Sequence, residues 1–151
     1  MSVTREQVEA MIEQYATSVG LTKEQIFNPE KRAYYWTMGS AKIEVFVQSL
    51  TLGDGRIRNY LRLFSPLMQV PKALELQYYR HLLELNDTQL GVKLSVMKGS
   101  DWVYATYERD INGIDYEEVA TCIADLEWWA DKLDDELKLQ FAGAGSRPDT
   151  N

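Results

Sequence analysis

The spacing of apolar residues changes period along this chain, and that change limits the fold more than any other feature. Val8, Met11, Ile12, Tyr15 and Val19 recur every three or four positions, the spacing of one helix face. From Tyr34 the period falls to two. Tyr34–Met38 and Lys42–Leu50 are rich in aromatic and branched residues that suit a pleated surface. Helical spacing returns in Lys72–Leu85, alternation in Leu90–Met97 and Trp102–Arg109, and helical spacing again after Asp115. A chain patterned this way is neither an all-helical bundle nor an all-β sandwich.

Local signals place the boundaries. Thr4 and Gln7 form a capping box for a helix over 4–18, and Gly20 ends it. Thr22–Phe27 reads as one more short turn, broken at Asn28-Pro29. Gly39-Ser40 and Gly53-Asp54-Gly55 read as tight turns between strands. A third strand, Arg58–Ser65, should stop at Pro66, which cannot donate to a ladder. In Lys72–Leu85, Leu76, Tyr79, Leu82 and Leu83 form an apolar face that Tyr78 and Leu85 widen. An arc that wide implies burial on more than one side, and Asn86-Asp87 should stop the helix. Asp115 with Glu118 caps a last helix reaching about Leu139. Its stripe is Val119, Cys122, Ile123, Leu126, Trp129, Ala130, Leu133 and Leu137.

The expected order is α-β-β-β-α-β-β-α. That is a single α+β domain over 1–141: a mainly antiparallel five-stranded sheet with three helices, then a disordered tail, 142–151. A chain of 151 residues can bury one sizeable core without staples. Its one cysteine excludes an internal disulfide framework. The first residues lack the cationic start and apolar run of a targeting segment, and no apolar stretch is long enough to span a membrane. A cytoplasmic setting is the expectation.

The charge is unevenly placed. Residues 115–138 carry nine acidic and two basic side chains, a net −7 that equals the charge of the whole chain. This face is either a solvated surface or a docking face for a basic partner segment. Asp134, Asp135 and Glu136 oppose the helix dipole, at a few tenths of a kcal/mol each. Trp128 lies half a turn from the apolar stripe, so it should point outward among Thr121, Asp125 and Lys132. It either contacts a partner or lies over a neighbouring element.

The chemistry-bearing residues form no constellation. His81, the single histidine, has neither nucleophile nor orienting partner in the pattern. Cys122 falls on the core stripe, and one Cys with one His does not make a zinc site. Asp131, Asp134 and Asp135 stand at i, i+3 and i+4, but no second motif matches them as metal ligands. Gly53 and Gly55 are too close for a phosphate loop, and Gly143 with Gly145 implies only flexibility. Arg56, Arg58 and Arg62 alternate with Tyr60 and Phe64, a pattern a single-stranded nucleic acid could use, yet the net charge opposes it and salt bridging on a strand face is favoured. The reading is therefore no catalytic residue, no metal, no cofactor and no nucleic acid.

Three segments carry a resemblance: Tyr60–Pro71, with its Ser65-Pro66 and Val70-Pro71; Leu82–Asn86, closing in Leu-x-Leu-Asn; and Leu133–Leu137. Together they resemble the bacterial YbjN-like family, and the element order is similar to the type III secretion chaperone fold. The resemblance implies a small, acidic, dimeric protein-binding or regulatory module with no catalytic or metal-binding residues.

The expected function is a non-enzymatic, chaperone-like domain that binds a partner segment, or itself, through a sheet edge, a sheet face or a helix. Trp36, Phe46, Tyr60, Phe64, Trp102 and Tyr104 on the strands are candidate contacts, although packing in the core is the favoured reading for each, with Trp128 outside and Tyr78 and Leu82 in a homodimer seam. The alternative is a ligand-binding or enzymatic domain with a pocket between sheet and helices, for which Arg62, Tyr60 and Glu108 are the polar candidates.

Overall fold

The computed structural model describes residues 2–89 and 91–142. The first half runs α1 (Arg5–Ser18), α2 (Lys23–Ile26), β1 (Phe27–Asn28), β2 (Ala33–Met38), β3 (Ala41–Thr51) and β4 (Ile57–Gln69). The second half runs α3 (Glu75–Thr88), β5 (Lys93–Val96), β6 (Trp102–Asp110) and α4 (Tyr116–Leu137). A 3-10 turn, Lys72–Leu74, leads into α3, and a π turn, Lys138–Ala142, extends α4. The strands form one antiparallel sheet in the order β1-β2-β3-β4-β6-β5.

The α+β class and the antiparallel sheet stand, but the count is six strands and four helices among the described residues, not five and three. Both additions lie in 23–28. Thr22 and Gln25 form a second capping box, which closes one turn of α2. Phe27 then pairs with Tyr34 in the two-residue β1, their rings 4.9 Å apart. Two residues are too few to show a period.

Other boundaries shift for local reasons. β4 passes through Pro66, because a bulge between Pro66 and Met68 spares the missing donor. α3 continues past Asn86 to Thr88, since the Asn86 amide is spent on Leu94 and not on its own backbone. β5 is shorter than the expected Leu90–Met97, and Leu90 lies outside the described residues. So do residues 143–151 of the expected tail, with Gly143 and Gly145.

The long helices α1 and α4 pack on one face of the sheet. Val8 and Ile12 of α1, Ile123, Leu126 and Leu133 of α4, and Val45, Val47, Leu61 and Leu63 of the sheet form one buried core. α3 sits against β5 at the sheet's end. It is pinned there by Tyr78, whose ring meets Phe141 edge-on at 4.9 Å. A buried carboxylate ties the layers together: Tyr15 donates to Glu127 Oε1 at 2.6 Å, and Trp36 Nε1 donates to Oε2 at 2.7 Å.

Candidate partner-binding surfaces

Helices cover one face of the sheet and leave the other open. The alternation that buries Val45, Leu61, Leu63 and Val103 turns Phe46, Tyr60, Arg62, Phe64 and Tyr104 to the open side, all half-buried. Register brings them together: Phe46 stands opposite Arg62, and Pro66 opposite Tyr104. Phe64 lies 5.6 Å from Phe46 and 6.2 Å from Tyr104, both edge-on, and the Arg62 guanidinium sits 4.6 Å over the Phe64 ring. An aromatic row thus crosses three strands where no helix shields it.

Charges on this face are paired. Arg62 contacts Glu108 at 2.9 Å and Arg58 contacts Asp110 at 3.3 Å. Lys93 donates to Glu108 at 2.6 Å, and that bond, with Arg62 beside it, holds the Glu108 carboxyl below its usual range. Arg56 pairs with Asp54. Salt bridging is therefore the role of the arginine stretch within the chain. Two shallow depressions flank Arg62. One is lined by Phe64, Lys93, Met97 and Tyr104, the other by Gln48, Leu50, Tyr60 and Glu108. Arg62, Tyr60 and Glu108 do converge, but on an open surface and not between sheet and helices.

The two sheet edges differ. At β5, Leu94 N donates to Asn86 Oδ1 at 2.7 Å and Asn86 Nδ2 donates to Leu94 O at 3.1 Å. One side chain thus mimics a neighbouring strand and closes that edge. The sequence pattern gives no sign of this pairing, because an Asn at a helix end reads as a stop. At the opposite edge, β1 pairs only with Ala33 and Tyr34, so β2 beyond Tyr34 has no outer partner among the described residues.

α3 turns two apolar sides in opposite directions. Tyr78 is 0% exposed and Leu82 is also buried, so both belong to the chain's own core and not to an outward seam. The outward side holds Leu76, 79% exposed, Leu83, 70% exposed, and the half-buried Tyr79. The wide arc in the sequence is the sum of these two surfaces.

On α4, Trp128 is 56% exposed, as its angle to the stripe requires, while Trp129 is half-buried. Trp36, by contrast, is buried on the helix-covered face, and Trp102 is exposed. Asp131 accepts from the Ser40 backbone and hydroxyl, each at 3.0 Å, and Asp134 is held by Lys138 at 2.7 Å. Asp131 and Asp134 are structural partners, and no cluster among the described residues could hold a metal ion. Burial pushes the Cys122 thiol up, away from the reactive thiolate. His81 is half-buried and stacks obliquely on Phe141 at 5.6 Å. No helix among the described residues is long and apolar enough to cross a membrane.

This arrangement recurs in solved structures. The ExsC–ExsE complex gives a TM-score of 0.58 at 15% identity, over 88% of this chain and 97% of that one. The fold is similar to that of solved type III secretion chaperones, SycH among them. SycH of Yersinia pestis, a type III secretion chaperone solved with a stable fragment of YscM2, gives 0.53 at 18% identity, over 82% of this chain and 97% of that one. YbjN from E. coli gives 0.57 at 13% identity, over 87% and 92%. No family model and no curated protein matches the sequence.

Proposed function

We propose that this protein is a non-enzymatic binding module that holds an extended segment of a partner protein, as a chaperone does. The observation that carries the reading is the uncovered sheet face with its row Phe46–Phe64–Tyr104. Such a row offers apolar and π surface to a chain that has not yet buried its own. Tyr60 lies beside it and Arg62 crosses it, so the surface can also hydrogen-bond. The free stretch of β2 from Tyr35 to Met38 supplies the main-chain groups for strand addition, while Asn86 denies the other edge. Two of the similar structures are protein–protein complexes, which favours a protein over a small molecule as the occupant.

We also propose that two copies associate through α3. Leu76, Tyr79 and Leu83 form an apolar surface larger than a lone soluble helix needs.

Capture from native lysate tests the first reading. Wild type should retain a protein that Phe64→Ala, folded to the same unfolding midpoint, releases. A thermal-shift screen against metabolites and metals separates the enzymatic alternative. A small molecule that raises the melting point by mass action would favour a pocket over a protein-binding face.

A further inference from the structure

We propose that the exposed face of α4 is a second docking surface, and that its occupant is a cationic segment of a partner protein whose arginine or lysine stacks on Trp128. Charge complementarity selects that occupant. The whole net charge of −7 resides on this helix. Six of its nine acids have partners within the chain or cap the helix. Glu117, Asp125 and Asp135 have no hydrogen-bond or ion-pair partner among the described residues. Glu117, Trp128 and Asp135 follow one outward line, with about 27 Å between the two acids at 1.5 Å per residue. An extended segment of roughly eight residues spans that length.

The aromatic centre of the line already accepts a cation. Trp128 and Trp129 meet edge to face at 4.8 Å and 81°. Lys132 Nζ lies 5.4 Å from each ring centroid. Lys132 also reaches Glu136 at 3.4 Å, so it can withdraw to that carboxylate and free the two rings. The same charge repels nucleic acid and anionic lipid, and it repels the α4 face of a second copy.

The test uses the full chain and a fluorescein-labelled twelve-residue peptide, (Arg-Ala-Leu)4, read by anisotropy at about 0.1 M salt, where surface attraction still acts. A glutamate counterpart is the charge control. The arginine peptide should bind saturably and the glutamate peptide should not. Trp128→Ala should weaken binding about two- to fivefold, the range of an exposed cation–π contact. Asp135→Asn should weaken it about twofold. Lys132→Ala should tighten it about two- to threefold by removing the resident cation, an effect that misfolding cannot produce. Ile57→Ala, an exposed apolar side chain at the start of β4, should change nothing. No binding by wild type, or equal affinity in wild type, Trp128→Ala and Lys132→Ala, would overturn the proposal. So would a wild-type dimer that Trp128→Ala dissociates, which would give the face to a second copy.

Discussion

Trp36 donates its indole N–H to the buried carboxylate of Glu127 at 2.7 Å, joining β2 to α4 beneath the sheet. Tyr15 of α1 donates to the other oxygen, so three elements meet on one side chain that is 7% exposed and has no ion-pair partner among the described residues. Glu127→Leu strands both donors and should cost about 2–6 kcal/mol, since each unsatisfied buried group costs about 1–3 kcal/mol. Glu127→Gln should cost about 1 kcal/mol. Its oxygen can face Trp36, and the Tyr15 hydroxyl can rotate to accept from the amide. Urea unfolding with unchanged slope checks the ordering.

Stability should fall in strong alkali. Burial, with the hydrogen bond to Glu127, raises the Tyr15 phenol above its ordinary value, and burial with Glu13 does the same for Tyr34. Burial, with the bond to Glu44, pushes Tyr35 up to about 12. The folded state therefore keeps these phenols neutral where the unfolded chain ionises, at about pH 10. Their contribution is complete below that pH and is lost as pH rises through the folded values. Urea midpoints should be flat from pH 7 to 9 and drop by pH 11.5, less steeply in Tyr15→Phe.

Asn86→Ala should open the β5 edge. Both bonds to Leu94 are lost, at about 1–2 kcal/mol together. The Leu94 amide should exchange with deuterium at least about tenfold faster, a measure of local opening. Light scattering should show added self-association as the bare edge recruits other chains.

Gly39→Ala should be costly for two coupled reasons. Gly39 has φ +60, and a Cβ there would lie 2.5 Å from Asp131 Oδ1, the atom that holds Ser40. A loss of about 1–3 kcal/mol is expected from the left-handed backbone and the displaced aspartate. In an Asp131→Ala background the same substitution should cost less. A double-mutant cycle by urea unfolding reads that coupling.

Alternation through Phe46, Tyr60, Phe64 and Tyr104 assigns a common side to these residues, but that no helix covers this side was not legible, because a row of strand aromatics reads first as core. The outward Trp128 followed from 100° per residue. The α3 arc was legible only as a width. Which residues face inward depends on Phe141 meeting Tyr78, a contact between residues 63 apart in the chain. Glu127 reads as one more acid on an acidic helix, and its burial depends on Tyr15 and Trp36, more than ninety residues away. Such long-range partners leave no period to read.

The most direct measurement is photo-cross-linking in cells from benzoyl-phenylalanine placed at Phe64, with Asp54 in the exposed β3–β4 turn as the control position. A discrete protein adduct is expected from Phe64 and none from Asp54. Equal labelling at both positions, or no protein adduct from Phe64, would contradict it.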